Sequence, residues 1–454
     1  MSRLNRREFL DATKKSLPAA AVGLTILTNA KSARAYAANE KIVLASVGVR
    51  GRGNHLAQGF LDRGDCEIAY VCDVDAKQFA KADAFAERQG GKKPECVQDF
   101  RKALDDKSID AIVSATPDHW HALSAVWACQ ANKDVYVEKP ATHSCWEGKK
   151  MVEAARKYDR VVQIGTQNRS AAYNWAAKKY IEDGHLGDIH MCRIYNQKNW
   201  PNRDVVPDSD PPEGLNWDMW NGPAPEHAYN AGWHRYWNHV WRYSGGDIAN
   251  DASHQIDLAR WLCGVTYPQS AYSTGGRYTS TGVAETPDSQ VAVWQFDRMV
   301  MAFELTLYTP YMLKSDPELR MNDIFPHWPQ NATRIELFGT KGMMVVGRHG
   351  GGWQVFDRPK SRKPVVKDQM YGRFPDVDHK ENFIQCVRNR KRPNADVLEG
   401  HLSALLIHYA NISYRLGAEK VEIDAATEEI KGNPEAMKLF KRTYREPYVI
   451  PEEV

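Results

Sequence analysis

Lys139 and His254 are the two side chains whose type and surroundings could move a proton. Val135, Tyr136 and Val137 form a short apolar run, read as a buried strand, that ends in Glu138-Lys139-Pro140. In an open α/β sheet, ligands bind outside the carboxyl ends of the strands, so an amine at Lys139 would act on whatever is bound there. Pro140 disfavours helical geometry at Lys139. A bare Lys-Pro is equally a surface lysine stopped by a turn proline, so its neighbours must decide. His254 lies in Ser244-Gly-Gly-Asp-Ile-Ala-Asn250-Asp251-Ala-Ser-His254-Gln-Ile-Asp257-Leu-Ala-Arg-Trp261, which reads as a loop feeding a helix with Ile256, Leu258, Ala259 and Leu262 on its apolar side. Near a helix start a neutral imidazole is favoured, and its ring can point into a cleft.

The elements that must carry Lys139 begin upstream. Lys41–Val47 reads as a strand running into Gly48-Val-Arg50-Gly51-Arg52-Gly53, then a helical pattern through Phe60-Leu61, then a second strand Cys66–Cys72 closing on Asp73. Strand, glycine turn, helix, strand and acid form a dinucleotide-binding unit. The glycines let backbone approach a pyrophosphate facing the amides of the helix start. Asp73 would accept from a ribose 2′-hydroxyl and repel a 2′-phosphate, which favours NAD over NADP. The fingerprint departs at Arg50, which stands at the second glycine: either Gly51 makes the close approach or Arg50 lines the phosphate site. Ile109–Ala115 is a further strand, ending in Thr116-Pro117-Asp118-His119-Trp120-His121. A helix to about Asn132, the Lys139 strand, a helix from about Trp146 to Tyr158 and Val161–Gly165 complete a parallel, doubly wound sheet. His119 and His121 lack a nearby carboxylate-histidine set, so a cofactor-lining role is expected and no metal.

These motifs, with Thr166-Gln167-Asn168, resemble the glucose-fructose oxidoreductase/inositol dehydrogenase (Gfo/Idh/MocA) family across nearly all of the chain beyond residue 38. The resemblance implies an α/β fold: an N-terminal Rossmann domain over 39–165 and a C-terminal α+β domain over 166–415 with a largely antiparallel open sheet, followed by a tail, 416–454. It implies NAD contacts from Gly48, Arg50, Gly51, Arg52, Gly53, Asp73, Thr116, Pro117, His119, His121, Glu138, Lys139 and Gln167. Substrate contacts are expected from Asn168, Trp233, His234, Arg235, Asn250 and Asp251, with Lys139 and His254 catalytic. In the family the histidine usually follows an aspartate by four residues; here that place is Asn250, which can orient a hydroxyl but cannot take a proton.

The second half opens with a strand near Leu186–Tyr195, then an irregular stretch from Trp200 to Trp241 holding six of the fourteen tryptophans. Pro211-Pro212 and Gly222-Pro223 argue against regular strands there. Its rings either stack on a sugar face, with Asp218, Asn221, His234 and Arg235 on the hydroxyls, or hold the long loop together. From Gln269 the pattern is of strands, notably 290–296, 300–306, 333–338 and 342–346, and then of helices over about 378–387 and 399–416. By resemblance the outer face of that sheet forms a subunit contact, so a homodimer or homotetramer is expected.

The net charge of +3, from 60 basic and 57 acidic residues, favours no nucleic-acid partner. The eight cysteines form no Cys-x-x-Cys pair and read as unpaired. Residues 1–38 read as a targeting segment: Asn5-Arg6-Arg7-Glu8-Phe9-Leu10 resembles a twin-arginine signal, and the uncharged run Ser16–Ala30 is short for a membrane span. The expectation is an exported, periplasmic NAD-dependent oxidoreductase acting on a hydroxyl carbon of a sugar, polyol or glycoside. Two alternatives stay open. One is a redox-assisted glycosidase, although a Tyr-Pro-Thr-His stretch around His254 is absent. The other is a noncatalytic sugar-binding protein.

Overall fold

A computed structural model describes residues 41–200, 205–312, 317–357 and 365–454. The twin-arginine segment lies outside the described residues. Six strands, β1 (Ile42–Val47), β2 (Cys66–Cys72), β3 (Glu95–Val97), β4 (Ala111–Ser114), β5 (Asp134–Val137) and β6 (Val162–Ile164), form a parallel sheet in the order β3-β2-β1-β4-β5-β6. That order reverses beside β1, and a doubly wound sheet opens its binding crevice at such a reversal. β4 and β5 are buried along their whole length, as expected of strands covered on both faces by helices. Covering helices include Gly51–Leu61, Asp118–Gln130 and Cys145–Lys157.

A second sheet has nine strands: β7 (Ile189–Gln197), β8 (Ser270–Gly276), β9 (Ser289–Gln295), β10 (Val300–Thr306), β11 (Arg334–Gly339), β12 (Gly342–Gly347), β13 (Trp353–Asp357), β14 (Val365–Met370) and β15 (Val421–Glu422). Its order is β14-β13-β12-β11-β7-β10-β9-β8-β15, and every neighbouring pair is antiparallel except β7 with β10. Along β10, Met301, Phe303 and Leu305 are buried while Val300, Ala302 and Glu304 are half-buried, the period-two signature of a sheet with one packed face. Helices Ser253–Cys263 and Val397–Arg415 share a core with that face through Ile256, Leu262, Leu405 and Tyr409.

The charged segment beyond Gly417 is built into the molecule. Tyr448, Ile450 and Val454 are buried in the core that holds Trp120, Val126 and Val135 of the first sheet's layer. Arg442 Nε reaches Glu147 Oε1 at 2.6 Å, and Tyr444 donates to the same oxygen at 2.8 Å. Glu147 in turn accepts from the amides of His143 and Ser144 at the start of helix Cys145–Lys157.

Six histidines are packed as neutral rings. Burial pushes His119 and His408 down to about 3, His234 and His379 down to about 4, and His143 and His254 well below the usual imidazole range. In each case the folded value lies under the unfolded one. The stability this packing supports is therefore complete above about pH 6.5 and falls with acid, by up to about 1.4 kcal/mol per pH unit for each ring. Urea denaturation at pH 7.5, 6.0 and 5.0 should show a steep fall in unfolding free energy across this series. A flat profile between pH 6.5 and 5 would contradict the buried neutral rings.

Candidate functional site

Two glycines fix the turn after β1. Gly48 has φ +75°, and a Cβ there would lie 3.0 Å from Ala115 O and Thr116 N. A Cβ on Gly53 would stand 1.8 Å from Gly48 O, so the helix can start this close to the strand only without one. Gly51, the first residue of the helix, has nothing within 4 Å of its Cβ position, so its backbone lies bare to a cavity of about 320 Å³. Gly51 leaves the backbone open, and Arg50, exposed, stands on the same cavity wall. No side chain caps this helix, which leaves its first N–H groups for an anion.

Asp73 closes β2 on that wall. Its carboxylate accepts from the amides of Val49 (2.9 Å) and Asp75 (3.0 Å). Burial pushes this carboxyl up, opposed by those two amide bonds and by Lys81. Bare amides at the helix start and a carboxylate at the strand end suit the pyrophosphate and ribose of NAD, so the residues fit that cofactor. Thr116 and Pro117 line the same cavity.

The aromatic excursion forms the opposite wall. Asn216 N donates to Val74 O, Ala76 N to Gly214 O, and Gln98 Nε2 to both carbonyls, each at 2.9 Å. Trp217 and Trp220 stack with ring centres 4.7 Å apart, sharing a small core with Tyr229, Val240 and Tyr243. Met219, Trp220, His234, Arg235 and Trp237 line the cavity beside the glycine turn. His234 and Arg235, expected on the substrate, thus stand on the cavity beside the glycine turn. Trp233 packs on His227 with ring centres 4.2 Å apart, Asp218 is taken by Arg445 and Tyr448, and Asn221 accepts from Tyr243. The tryptophans are mainly internal packing. His119 and His121, expected to line the cofactor, are not on this cavity wall, and neither are Glu138, Lys139 and Gln167. The His119 ring lies beside Trp220 and Tyr243 with Nε2 3.0 Å from Trp220 O, and His121 sits between Pro140 O (2.7 Å) and Thr116 O (2.9 Å).

At the end of β5 the charges of Glu138-Lys139 diverge. Glu138 Oε1 meets Arg52 Nε at 2.7 Å and Gln167 Nε2 at 3.4 Å, and Arg52 Nη2 also meets Asp376 at 2.8 Å. A side chain on Gly165 would press within 2.8 Å of the Glu138 carboxylate. Lys139 Nζ points to Asn250, donating to its backbone oxygen at 2.5 Å and its side-chain oxygen at 3.2 Å. Burial pushes the lysine down toward neutrality, while Asp118, Glu138 and Asp251 resist.

His254 follows one turn after Asn250 in helix Ser253–Cys263, its amide reaching Asp251 O at 3.4 Å. Burial, with Arg348 and Lys139 adding to it, keeps the ring neutral, and Nδ1 has no protein partner. Asp251 pairs with Lys198 (2.9 Å) and Arg348 (3.1 Å), and Lys198 with Asp247 (2.8 Å). Asn168 is buried with neither side-chain polar atom bonded to protein. It sits between Gln167, which reaches Glu138, and Arg169, which meets Asp257 of the His254 helix at 2.8 Å. The fold thus brings Lys139, Asn250, Asp251 and His254 together. It adds Arg348, Lys198, Asp247 and Asp118, none of which the sequence reading singled out. A signal existed for Arg348: Gly347-Arg348-His349-Gly350-Gly351-Gly352 puts two nitrogen bases in a glycine run after a strand.

Comparison with known proteins finds three domain models along the chain. Residues 42–166 match "Oxidoreductase family, NAD-binding Rossmann fold", 220–345 match "GFO/IDH/MocA C-terminal domain", and 339–450 match "Oxidoreductase family, C-terminal alpha/beta domain". Levoglucosan dehydrogenase of Pseudarthrobacter phenanthrenivorans is 30% identical over 189 residues, 42% of this chain and 40% of that enzyme's length. The NAD(+)-dependent scyllo-inositol 2-dehydrogenase of Bacillus subtilis is 24% identical over 70% of this chain and 80% of its own. Among solved structures, the WlbA dehydrogenase from Bordetella pertussis, in complex with NADH and UDP-GlcNAcA, shares the fold with TM-score 0.60 and 24% identity, covering 85% of this chain and 99% of that one.

The glycine geometry separates two substitutions. Gly53→Ala should lower the melting temperature by several degrees and abolish NADH binding, because its methyl collides with backbone. Gly51→Ala should melt like the parent yet bind NADH at least about tenfold more weakly, since its methyl enters only the cavity. Thermal melts and NADH fluorescence titrations check both.

Proposed function

The chain belongs to the Gfo/Idh/MocA oxidoreductases, and on that premise we propose that it is an NAD-dependent enzyme oxidising a hydroxyl carbon of a sugar or polyol, or reducing the matching carbonyl. The observation that carries this reading is the half-buried Lys139 amine held on Asn250 one helical turn from His254. The named relatives that act on levoglucosan and scyllo-inositol support the substrate class.

Bound NAD supplies the acceptor for a hydride from the hydroxyl carbon. Everything else falls to the chain. The bare amides from Gly51 and the Asp73 carboxylate hold the dinucleotide. Lys139, lowered by burial, takes the hydroxyl proton as the carbonyl forms and returns it in reverse. Asn250 fixes the amine through both of its oxygens and so leaves the proton with Lys139. The neutral His254 ring, with Nδ1 open, passes a proton on without keeping it. Asn168 contributes a donor and an acceptor to sugar hydroxyls. Export by the twin-arginine route belongs to the same proposal and rests on Asn5–Leu10. A reporter carrying residues 1–38 should reach the periplasm and stay inside once Arg6 and Arg7 are changed to lysine.

Lys139→Ala should reduce kcat at least about a hundredfold while NADH binding stays within about twofold of the parent. Unimpaired turnover in that variant would overturn the assignment. Asn250→Asp sets a carboxylate beside the amine and raises its pKa, so the rise of kcat/KM with pH in the oxidation direction should move to more alkaline pH. An unmoved profile would remove Lys139 as the titrating base.

A further inference from the structure

The Lys139 site carries a cationic group with unused capacity. Arg348 follows β12 and is 5% exposed. One of its nitrogens, Nη2, meets Asp251 Oδ1 at 3.1 Å, while Nε and Nη1 have no protein acceptor. Asp251 adjoins Asn250, which holds the lysine, and precedes His254 by one turn. A second guanidinium, Arg320, lies close enough to repel Arg348, and its Nε likewise has no protein acceptor. Asp251 is already shared between Arg348 and Lys198, and Lys198 also takes Asp247. Those acids are spent within the cluster. Buried charged donors left without acceptors, pressed by a like charge, are stabilised further when another counter-charge arrives.

We infer that Arg348 receives a carboxylate of the substrate, so that the enzyme's natural substrates are sugar acids (uronates or aldonates) rather than neutral sugars. This rests on the carbohydrate oxidoreductase reading and narrows it. A hydroxyl would satisfy the N–H groups but would leave two guanidiniums repelling each other. A carboxylate does both, through charge-assisted hydrogen bonds. A doubly charged phosphate would also crowd Asp251.

The test titrates NADH-loaded protein with matched pairs: glucuronate against glucose, galacturonate against galactose, and gluconate against glucitol. Glucose 6-phosphate and glucose 6-sulfate serve as the other anions. At least one acid should bind at least about tenfold more tightly than its neutral partner. Arg348→Gln should bring that ratio close to one, and Arg348→Lys should keep part of it because the charge remains. Asp251 keeps Lys198 in both variants, and NADH affinity reports that each is folded. Equal affinity within every pair overturns the inference, as does an acid preference that survives Arg348→Gln or a phosphate or sulfate ester that outcompetes every carboxylate. Lys139-dependent turnover of a neutral sugar with no acid preference would leave the oxidoreductase standing and this inference refuted. Failure of the parent to bind NADH would bring down both.

Discussion

The site depends on a hydrogen bond from Lys139 Nζ to Asn250, which ties the end of β5 to the short helix Asp247–Asn250. It joins the two sheets' territories at the point where chemistry is expected. The donor is an amine that burial has made reluctant to carry charge. A carbonyl can hold that amine in either protonation state, whereas a carboxylate in its place would bind the ammonium more tightly and blunt it as a base. At position 250, where the resemblance implies an aspartate, a neutral amide holds the lysine, and the neighbouring acid, Asp251, is held by Lys198 and Arg348.

Behind this contact stands a buried ionic scaffold. Arg169, just beyond β6, meets Asp257 at 2.8 Å and Glu399 at 3.1 Å. Arg260, one turn past Asp257, also pairs with Glu399, and its Nε donates to Ser403 on helix Val397–Arg415. Such networks are weak evidence for stability, because desolvation offsets much of the attraction. Their directional bonds do fix geometry. Here they set the rotation of the helix that carries His254 against both neighbouring elements.

Most of the nucleotide half was legible in the sequence because its signals are local. The glycines of 48–53, Asp73 and the strand ending in Glu138-Lys139-Pro140 are each placed by backbone sterics and hydrophobic runs within a few residues. The excursion was harder to read, since a tryptophan's partners are chosen by long-range packing. Trp217 and Trp220 stack on each other and meet Tyr243 edge-on, and His234 and Arg235 line the cavity beside the glycine turn. His121, expected to line the cofactor, has its ring taken up by two backbone carbonyls. β14, exposed along its length, shows no alternation from which a strand could be read. Arg348 is drawn into the site by pairing across some hundred residues with Asp251, which no periodicity reports.

The packing of Tyr448, Ile450 and Val454 against the first sheet's helices, with Arg442 on Glu147, bears on how the protein can be divided. Glu147 is fully buried, and its counter-charge comes from almost three hundred residues downstream. A fragment cut after β6 would expose the apolar seat of those three side chains and strand a carboxylate in a dry interior. The dinucleotide-binding sheet, so easily drawn as a self-contained module, is therefore finished by the far end of the polypeptide, and the two parts are expected to melt as one cooperative unit.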